Sequence, residues 1–220
     1  MKVGTDGVLL GAWAGGGADG GVLDIGCGCG LVALMMAQRF PAARVTGVEI
    51  DSGAADDARR NAAASPFSAR VDIVEGDITR FVPGALRFGC IVSNPPYHAE
   101  TLLPPAAARA AARHTEGGGL TFAALLGAVA RLLSPEPGAV FAVVLPAAAE
   151  AHFTALAACH ALFLSRRTRV VTRPEKPAKR VLLEFSHTGG GAVTEDTLVL
   201  VGDDGRRSPQ YAALCRNFYL

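Results

Sequence analysis

The chain has 220 residues, a formal net charge of +1 and a hydrophobic content of 50%. That balance excludes a nucleic-acid binder working by bulk positive charge, though not one with a local basic face. No apolar run approaches the ~20 residues of a membrane span, and the opening Met1-Lys2-Val3-Gly4-Thr5-Asp6 has no apolar stretch of the signal-peptide kind. The five cysteines are scattered, form no disulfide framework and fit a reducing, cytoplasmic setting. The length suits one domain, 1–220, with a sizeable core.

Residues 5–14 read as a short helix with Thr5 or Asp6 at its N-cap, ended by Gly15-Gly16-Gly17. Residues 21–25 read as a first strand, and Gly26-Cys27-Gly28-Cys29-Gly30 as the turn after it. An apolar helix follows over 31–39, stopped before Pro41. Then come a strand over 44–50, a helix over 52–63 with Asp56, Asp57, Arg59 and Arg60 facing water, and a strand over 71–75. Gly76-Asp77-Ile78 follows that strand, and 88–93 reads as a fourth, buried one.

Residues 98–119 read as a loop with a short helix around 106–113. A helix over 120–133, a strand over 139–145 and a helix over 147–160 continue the alternation. The last third changes character. Two strands, 162–172 and 180–187, flank Arg173-Pro174-Glu175-Lys176-Pro177-Ala178-Lys179. One more short strand over 197–201 and a terminal helix over 208–218 are expected. Strands alternating with helices imply an α/β fold with a mostly parallel sheet covered on both faces. The adjacent strand pair near the end adds a terminal antiparallel hairpin.

Ligands in such folds bind beyond the carboxyl ends of the strands. Three groups converge there. The glycine turn allows a ligand close to backbone, and the helix after it attracts negative charge. Glu49 ends the next strand, about 20 residues on, where a carboxylate accepts from ribose hydroxyls. The spacing is GxGxG rather than the GxGxxG of dinucleotide enzymes, so a nucleoside cofactor without a pyrophosphate fits better than NAD. Asp77 can accept from an adenine amine or cap the turn that follows it.

The third group is Asn94-Pro95-Pro96-Tyr97. Proline cannot extend a strand ladder, and it pushes the residue before it out of the α region. Asn94 is therefore held in a rigid extended turn with Tyr97 close by, an amide acceptor beside an aromatic platform. That pairing suits a planar substrate carrying an –NH2 group.

Leu23-Asp24-Ile25-Gly26-Cys27-Gly28-Cys29-Gly30 resembles the cofactor motif of class I S-adenosylmethionine (SAM)-dependent methyltransferases, and Asn94-Pro95-Pro96-Tyr97 the motif of their amine-modifying members, which act on adenine N6, guanine N2 or glutamine N5. Lys2-Val3-Gly4-Thr5-Asp6-Gly7, Leu9-Leu10-Gly11-Ala12-Trp13, Pro174-Glu175-Lys176, Arg180-Val181-Leu182-Leu183 and Phe218-Tyr219-Leu220 extend the resemblance to the bacterial tRNA-valine adenine-N6 methyltransferase family. Members of that family usually carry some tens of residues ahead of the Lys-Val-Gly-Thr-Asp segment, which here follows Met1 directly. Any consequence is expected in substrate binding more than in cofactor binding.

The resemblance implies a Rossmann-like sheet, SAM as cofactor and tRNA as partner. It implies cofactor contacts at Asp24, Gly26, Gly28, Gly30, Glu49, Ile50, Asp77 and Ile78, and catalysis at Asn94, Pro95, Pro96 and Tyr97. The densest basic cluster is Arg166, Arg167, Arg169, Arg173, Lys176, Lys179 and Arg180. RNA backbone contact is expected at Arg173, Lys176 and Lys179. Arg109 and Arg113 are spaced to share a helix face, and His98 lies beside the Asn-Pro-Pro-Tyr turn. Cys27 and Cys29 have no second Cys/His pair at zinc spacing, so no metal is expected. The alternatives are methylation of glutamine in a protein or of a base in rRNA, an NAD-dependent dehydrogenase, and an RNA-binding domain with a vestigial SAM site.

Overall fold

A computed structural model describes residues 4–16, 20–96 and 119–218. Its strands are β1 (Val22–Ile25), β2 (Val45–Glu49), β3 (Val71–Glu75), β4 (Cys90–Ser93), β5 (Val140–Pro146), β6 (Phe163–Val171), β7 (Arg180–Ser186) and β8 (Thr194–Val199). Its α-helices are α1 (Thr5–Trp13), α2 (Leu31–Arg39), α3 (Ser52–Ala64), α4 (Phe122–Leu132), α5 (Glu150–Cys159) and α6 (Pro209–Cys215), with a 3-10 turn over Ala147–Ala149 leading into α5. The strands form a sheet in the order β3-β2-β1-β4-β5-β7-β6-β8.

Strands β1 to β5 pair in parallel. The expected hairpin is present as β6–β7, but its second strand is inserted between β5 and β6, antiparallel to both. Composition explains the insertion. Val181, Leu182, Leu183 and Phe185 are all at 0% exposure, so β7 needs cover on both faces. Strand β6 carries Ser165, Arg166, Arg167 and Arg169 and tolerates a place nearer the edge. The late strand begins at Thr194, earlier than its apolar residues indicate, and runs parallel to β6. The terminal helix is confined to Pro209–Cys215, capped by Ser208, whose hydroxyl accepts from the Tyr211 N–H.

Because β6 and β8 run in the same direction as β1 to β5, the connections leaving them open on the same edge of the sheet as those leaving β1 to β4. Topology thus brings residues 172–179 to the carboxyl edge that also carries Asn94.

Helices α1, α2 and α6 bury Leu9, Leu10, Met36 and Tyr211 on one face. Helices α4 and α5 bury Leu125, Leu126, Val129 and Phe153 on the other. There Phe153 meets Phe122 edge-on at 4.9 Å and Phe185 at 5.8 Å between ring centroids.

Helix α1 is buried from Gly7 through Trp13, so it behaves as core rather than as a surface helix. Its N-cap is Gly4, with no side-chain cap, so Thr5 and Asp6 already lie inside the helix. At Gly11 the helix passes so close to α2 that a Cβ would lie 2.8 Å from Met35 Sδ. Trp13 Nε1 donates to Thr168 Oγ1 at 2.8 Å, and the Arg166 guanidinium covers the Trp13 ring at 4.2 Å. These contacts dock α1 across the sheet, with its N-terminus at the carboxyl edge.

Candidate active site

A cavity of about 830 Å³ opens at that edge. It is walled by the turns after β1 to β4, by the first residues of α1 and by the start of α4. Its size suits a small organic molecule.

Asp24, on β1, is 1% exposed. Its Oδ2 accepts from the Ala33 N–H at 2.9 Å. Gly30, the N-cap of α2, has no side chain to satisfy the helix's first amides, and Asp24 supplies the missing acceptor from the strand before it. Burial pushes the Asp24 carboxyl up to about 7; the Ala33 N–H opposes this and the Glu49 charge adds to it.

The turn between β1 and α2 holds Gly26, Gly28 and Gly30 all at positive φ, and the first and last show what that conformation serves. Gly30 has φ +83° and sits against α3, where a Cβ would approach Ala58 Cβ to 3.3 Å. Gly26 has φ +68°, and a Cβ there would meet nothing within 4 Å, which leaves open space over the backbone for a ligand. Cys27 between them is packing: its thiol faces Gly47, and burial pushes its pKa up, so it stays protonated.

Glu49 closes the far side of this turn. Its Oε2 accepts from the Gly28 N–H at 2.8 Å and its Oε1 from the Asp51 N–H at 2.9 Å. The carboxylate therefore braces both the glycine turn and the start of α3, and each oxygen keeps acceptor capacity for hydroxyl groups in the cavity. Next to it Ile50 is 70% exposed, an apolar side chain left at the cavity rim, while Ile78 across the cavity is buried. Asp77 does cap its own turn: Oδ1 accepts from Thr79 N at 2.8 Å and Thr79 Oγ1 at 2.7 Å. Those bonds hold its carboxyl below the usual range. Its second oxygen is compatible with the other reading, an acceptor for an amine.

Strand β4 delivers Asn94. Ser93 Oγ donates to the Ile25 carbonyl at 2.9 Å, tying the end of β4 to the end of β1. Asn94 is half-buried on the cavity wall, Pro95 is buried and Pro96 exposed. Helix α1 backs the amide: a Cβ at Gly7 would lie 3.9 Å from Asn94 Nδ2. Tyr97, His98, Arg109 and Arg113, and the short helix expected around 106–113, lie outside the described residues. All the expected cofactor positions, and Asn94, Pro95 and Pro96, lie on or directly against this cavity, with Gly30 behind it as the N-cap of α2.

Thr5, Asp6, Thr121 and Ala124 also line the cavity. The first pair lies in a segment the resemblance singles out. The second pair carries no sequence signal, because α4 reaches the site only through packing.

The basic cluster narrows in three dimensions. Arg166 covers Trp13; Arg167 pairs with Glu150 and with Glu195 at 2.7 Å; Arg169 meets Glu195 at 3.4 Å; Arg180 Nε meets Asp6 Oδ2 at 2.8 Å. Arg173, Lys176 and Lys179 are exposed and make no ion pair among the described residues. Also among the described residues, no group of three or more His, Cys, Asp or Glu side chains is placed to hold a metal ion, and no helix is long and apolar enough to cross a membrane.

Residues 8–124 match the model of the methyltransferase small domain family. The tRNA1(Val) (adenine(37)-N6)-methyltransferase of Phocaeicola vulgatus is 44% identical over 220 residues, covering 100% of this chain and 91% of its own. The protein of that name from Aeromonas hydrophila is 46% identical over 221 residues, again covering 100% and 91%. Among solved structures, a predicted O-methyltransferase from Agrobacterium tumefaciens superposes with a TM-score of 0.70 over 96% of each chain at 21% identity. A glycopeptide N-methyltransferase solved with SAM superposes with a TM-score of 0.59, covering 86% of this chain and 90% of its own, at 16% identity. The glycine turn braced by Glu49, the Asn-Pro-Pro end of β4 and the full-length likeness to these relatives agree: the chain belongs to the methyltransferase small domain family, with the bacterial tRNA1(Val) (adenine(37)-N6)-methyltransferases.

Proposed function

We propose that the protein transfers a methyl group from SAM to the exocyclic N6 amine of adenine 37 in tRNA1(Val), and that it works in the cytoplasm where that substrate resides. The observation that carries this reading is the placement of Asn94-Pro95-Pro96 on the wall of the same cavity that the glycine turn and Glu49 line, in a chain 44% identical to a relative of that activity.

The residues suit the cofactor. Glu49 would accept from the ribose hydroxyls, Ile50 and Ile78 would flank the adenine, the second oxygen of Asp77 would accept from its amine, and Asp24 with Gly26, Gly28 and Gly30 would shape the turn under the methionine end. When bound, SAM supplies an electrophilic methyl group on sulfonium sulfur.

The target amine is a poor nucleophile because its lone pair is delocalised into the purine ring. Asn94 Oδ1 and the Pro95 carbonyl would each accept one of its N–H groups, drawing the lone pair out of conjugation with the ring and localising it on nitrogen. Once methylated, the amine nitrogen would be acidic enough to lose its proton to solvent, so no strong base is needed beside Asn94. Tyr97 stacks on the base, a contact of ~1–3 kcal/mol in single-stranded recognition. Pro96 stiffens the turn that presents these groups. The base must leave its neighbours to reach them, and Arg173, Lys176 and Lys179 hold the RNA backbone at the same edge.

The test is single-turnover methyl transfer by Asn94→Ala, with methyl-labelled SAM and separate pools of tRNA, rRNA, DNA and protein. Wild type should label tRNA. The variant should lose ~3–4 kcal/mol of transition-state stabilisation, a rate drop of roughly 10²–10³, with cofactor affinity and unfolding temperature unchanged. Near-wild-type methylation by the variant would refute the mechanism; label in another pool would refute the substrate.

A further inference from the structure

Arg131 lies in the last turn of α4, about 50 residues in sequence from the Asp77 turn, yet its guanidinium closes on that turn's carbonyl groups. Nη1 donates to Phe81 O at 2.7 Å, and Nη2 donates to Ile78 O at 3.1 Å and to Thr79 O at 3.5 Å. The turn spans residues 77–81, with Arg80 N–H donating to Asp77 O at 3.0 Å and Phe81 N–H to Ile78 O at 3.3 Å. It has the form of a single helical turn. Asp77 Oδ1 holds its amino end through Thr79. Ile78 O thus already has a partner within the turn, whereas Thr79 O and Phe81 O would otherwise face solvent.

We propose that Arg131 is a positioning residue for cofactor recognition. By gripping the carbonyl end of the Asp77 turn, it fixes the second carboxylate oxygen of Asp77 toward the 6-amino group of the adenine of SAM. The inference rests on the cofactor reading given above. Arg131 does not itself line the cavity, so its action runs through the turn. A planar guanidinium with five N–H donors in a fixed fork can serve several carbonyls at once, whereas a lysine ammonium is a point charge on a flexible stem. The grip therefore needs arginine. Ile78 is additionally anchored in the core beside Leu125, Leu126 and Val129, so loss of Arg131 loosens the turn without removing it.

The experiment measures binding of S-adenosylhomocysteine and of its inosine analogue, in which a carbonyl replaces the 6-amino group, to wild type, Arg131→Ala and Arg131→Lys. Wild type should prefer the adenosine ligand. Both variants should bind it about five- to tenfold more weakly while binding the inosine analogue almost unchanged, so the discrimination shrinks. Such a loss equals about 1–1.4 kcal/mol. The single-turnover rate at saturating SAM and the KM for tRNA should hold. General destabilisation would weaken both ligands in parallel, and that result overturns the proposal, as does discrimination equal to wild type in Arg131→Ala. Failure of wild type itself to bind S-adenosylhomocysteine would overturn the cofactor reading instead.

Discussion

Glu49→Gln separates bracing from binding at the centre of the site. The wild-type carboxylate accepts two backbone N–H groups, one on each oxygen, from Gly28 and Asp51. A glutamine has a single acceptor oxygen. Its amide should turn that oxygen to Gly28, whose bond is buried, and leave the partly exposed Asp51 N–H to water. Losing one hydrogen bond to a charged group and weakening the other costs about 1–3 kcal/mol. At about 2–4 °C per kcal/mol for a chain of this size, the ligand-free variant should unfold about 2–12 °C below wild type. In the ligand complex, exchanging a charged for a neutral acceptor at the ribose should cost a further 1–1.4 kcal/mol or so, about five- to tenfold in affinity. Thermal unfolding with and without excess S-adenosylhomocysteine reads both quantities, because the ligand-induced shift follows RT ln(1 + [L]/Kd). An unchanged ligand-free midpoint would refute the brace. An unchanged ligand-induced shift would refute the ribose contact and leave Glu49 as a structural residue.

The Asp24 carboxyl titrates near 3.8 when unperturbed and is pushed up to about 7 in the fold, mainly by burial. The folded protein then holds the extra proton between those values, so this group's contribution makes stability fall as pH rises from about 4 to about 7 and level off above. Asp24→Asn keeps an acceptor for the Ala33 N–H and should flatten that part of the profile; urea midpoints that keep the same pH dependence would refute this. At the basic connection, replacing Arg173, Lys176 and Lys179 by alanine should weaken tRNA binding and reduce the log–log salt slope by up to about one unit per lost phosphate contact, with cofactor affinity unmoved. An unchanged slope would make these residues a solvated loop.

Local chemistry by itself determines most of this site. The Gly26–Gly30 turn, Glu49 and Asn94-Pro95-Pro96 each sit within a residue or so of a strand end, and backbone restriction by glycine and proline is a property of the chain itself. Alternation of strand and helix then placed those ends on one edge. Helix α2 runs over Leu31–Arg39 as its apolar run between a glycine and a proline dictates.

Tertiary structure decided what depended on partners distant in sequence. The place of β7 between β5 and β6 follows from burying both of its faces, which only the neighbouring strands can do. The double role of Glu49 appears only when β2 lies beside β1 and brings Gly28 within reach. The seven-residue basic cluster looked uniform in one dimension; packing assigned Arg166 to Trp13, Arg167 and Arg169 to Glu150 and Glu195, and Arg180 to Asp6, leaving Arg173, Lys176 and Lys179 exposed to solvent. Arg131 gave no signal at all, since an arginine in the last turn of a helix serves equally well facing water. Its three carbonyl partners are brought to it by the fold, because α4 and the turn after β3 lie about 50 residues apart in sequence and meet only through packing.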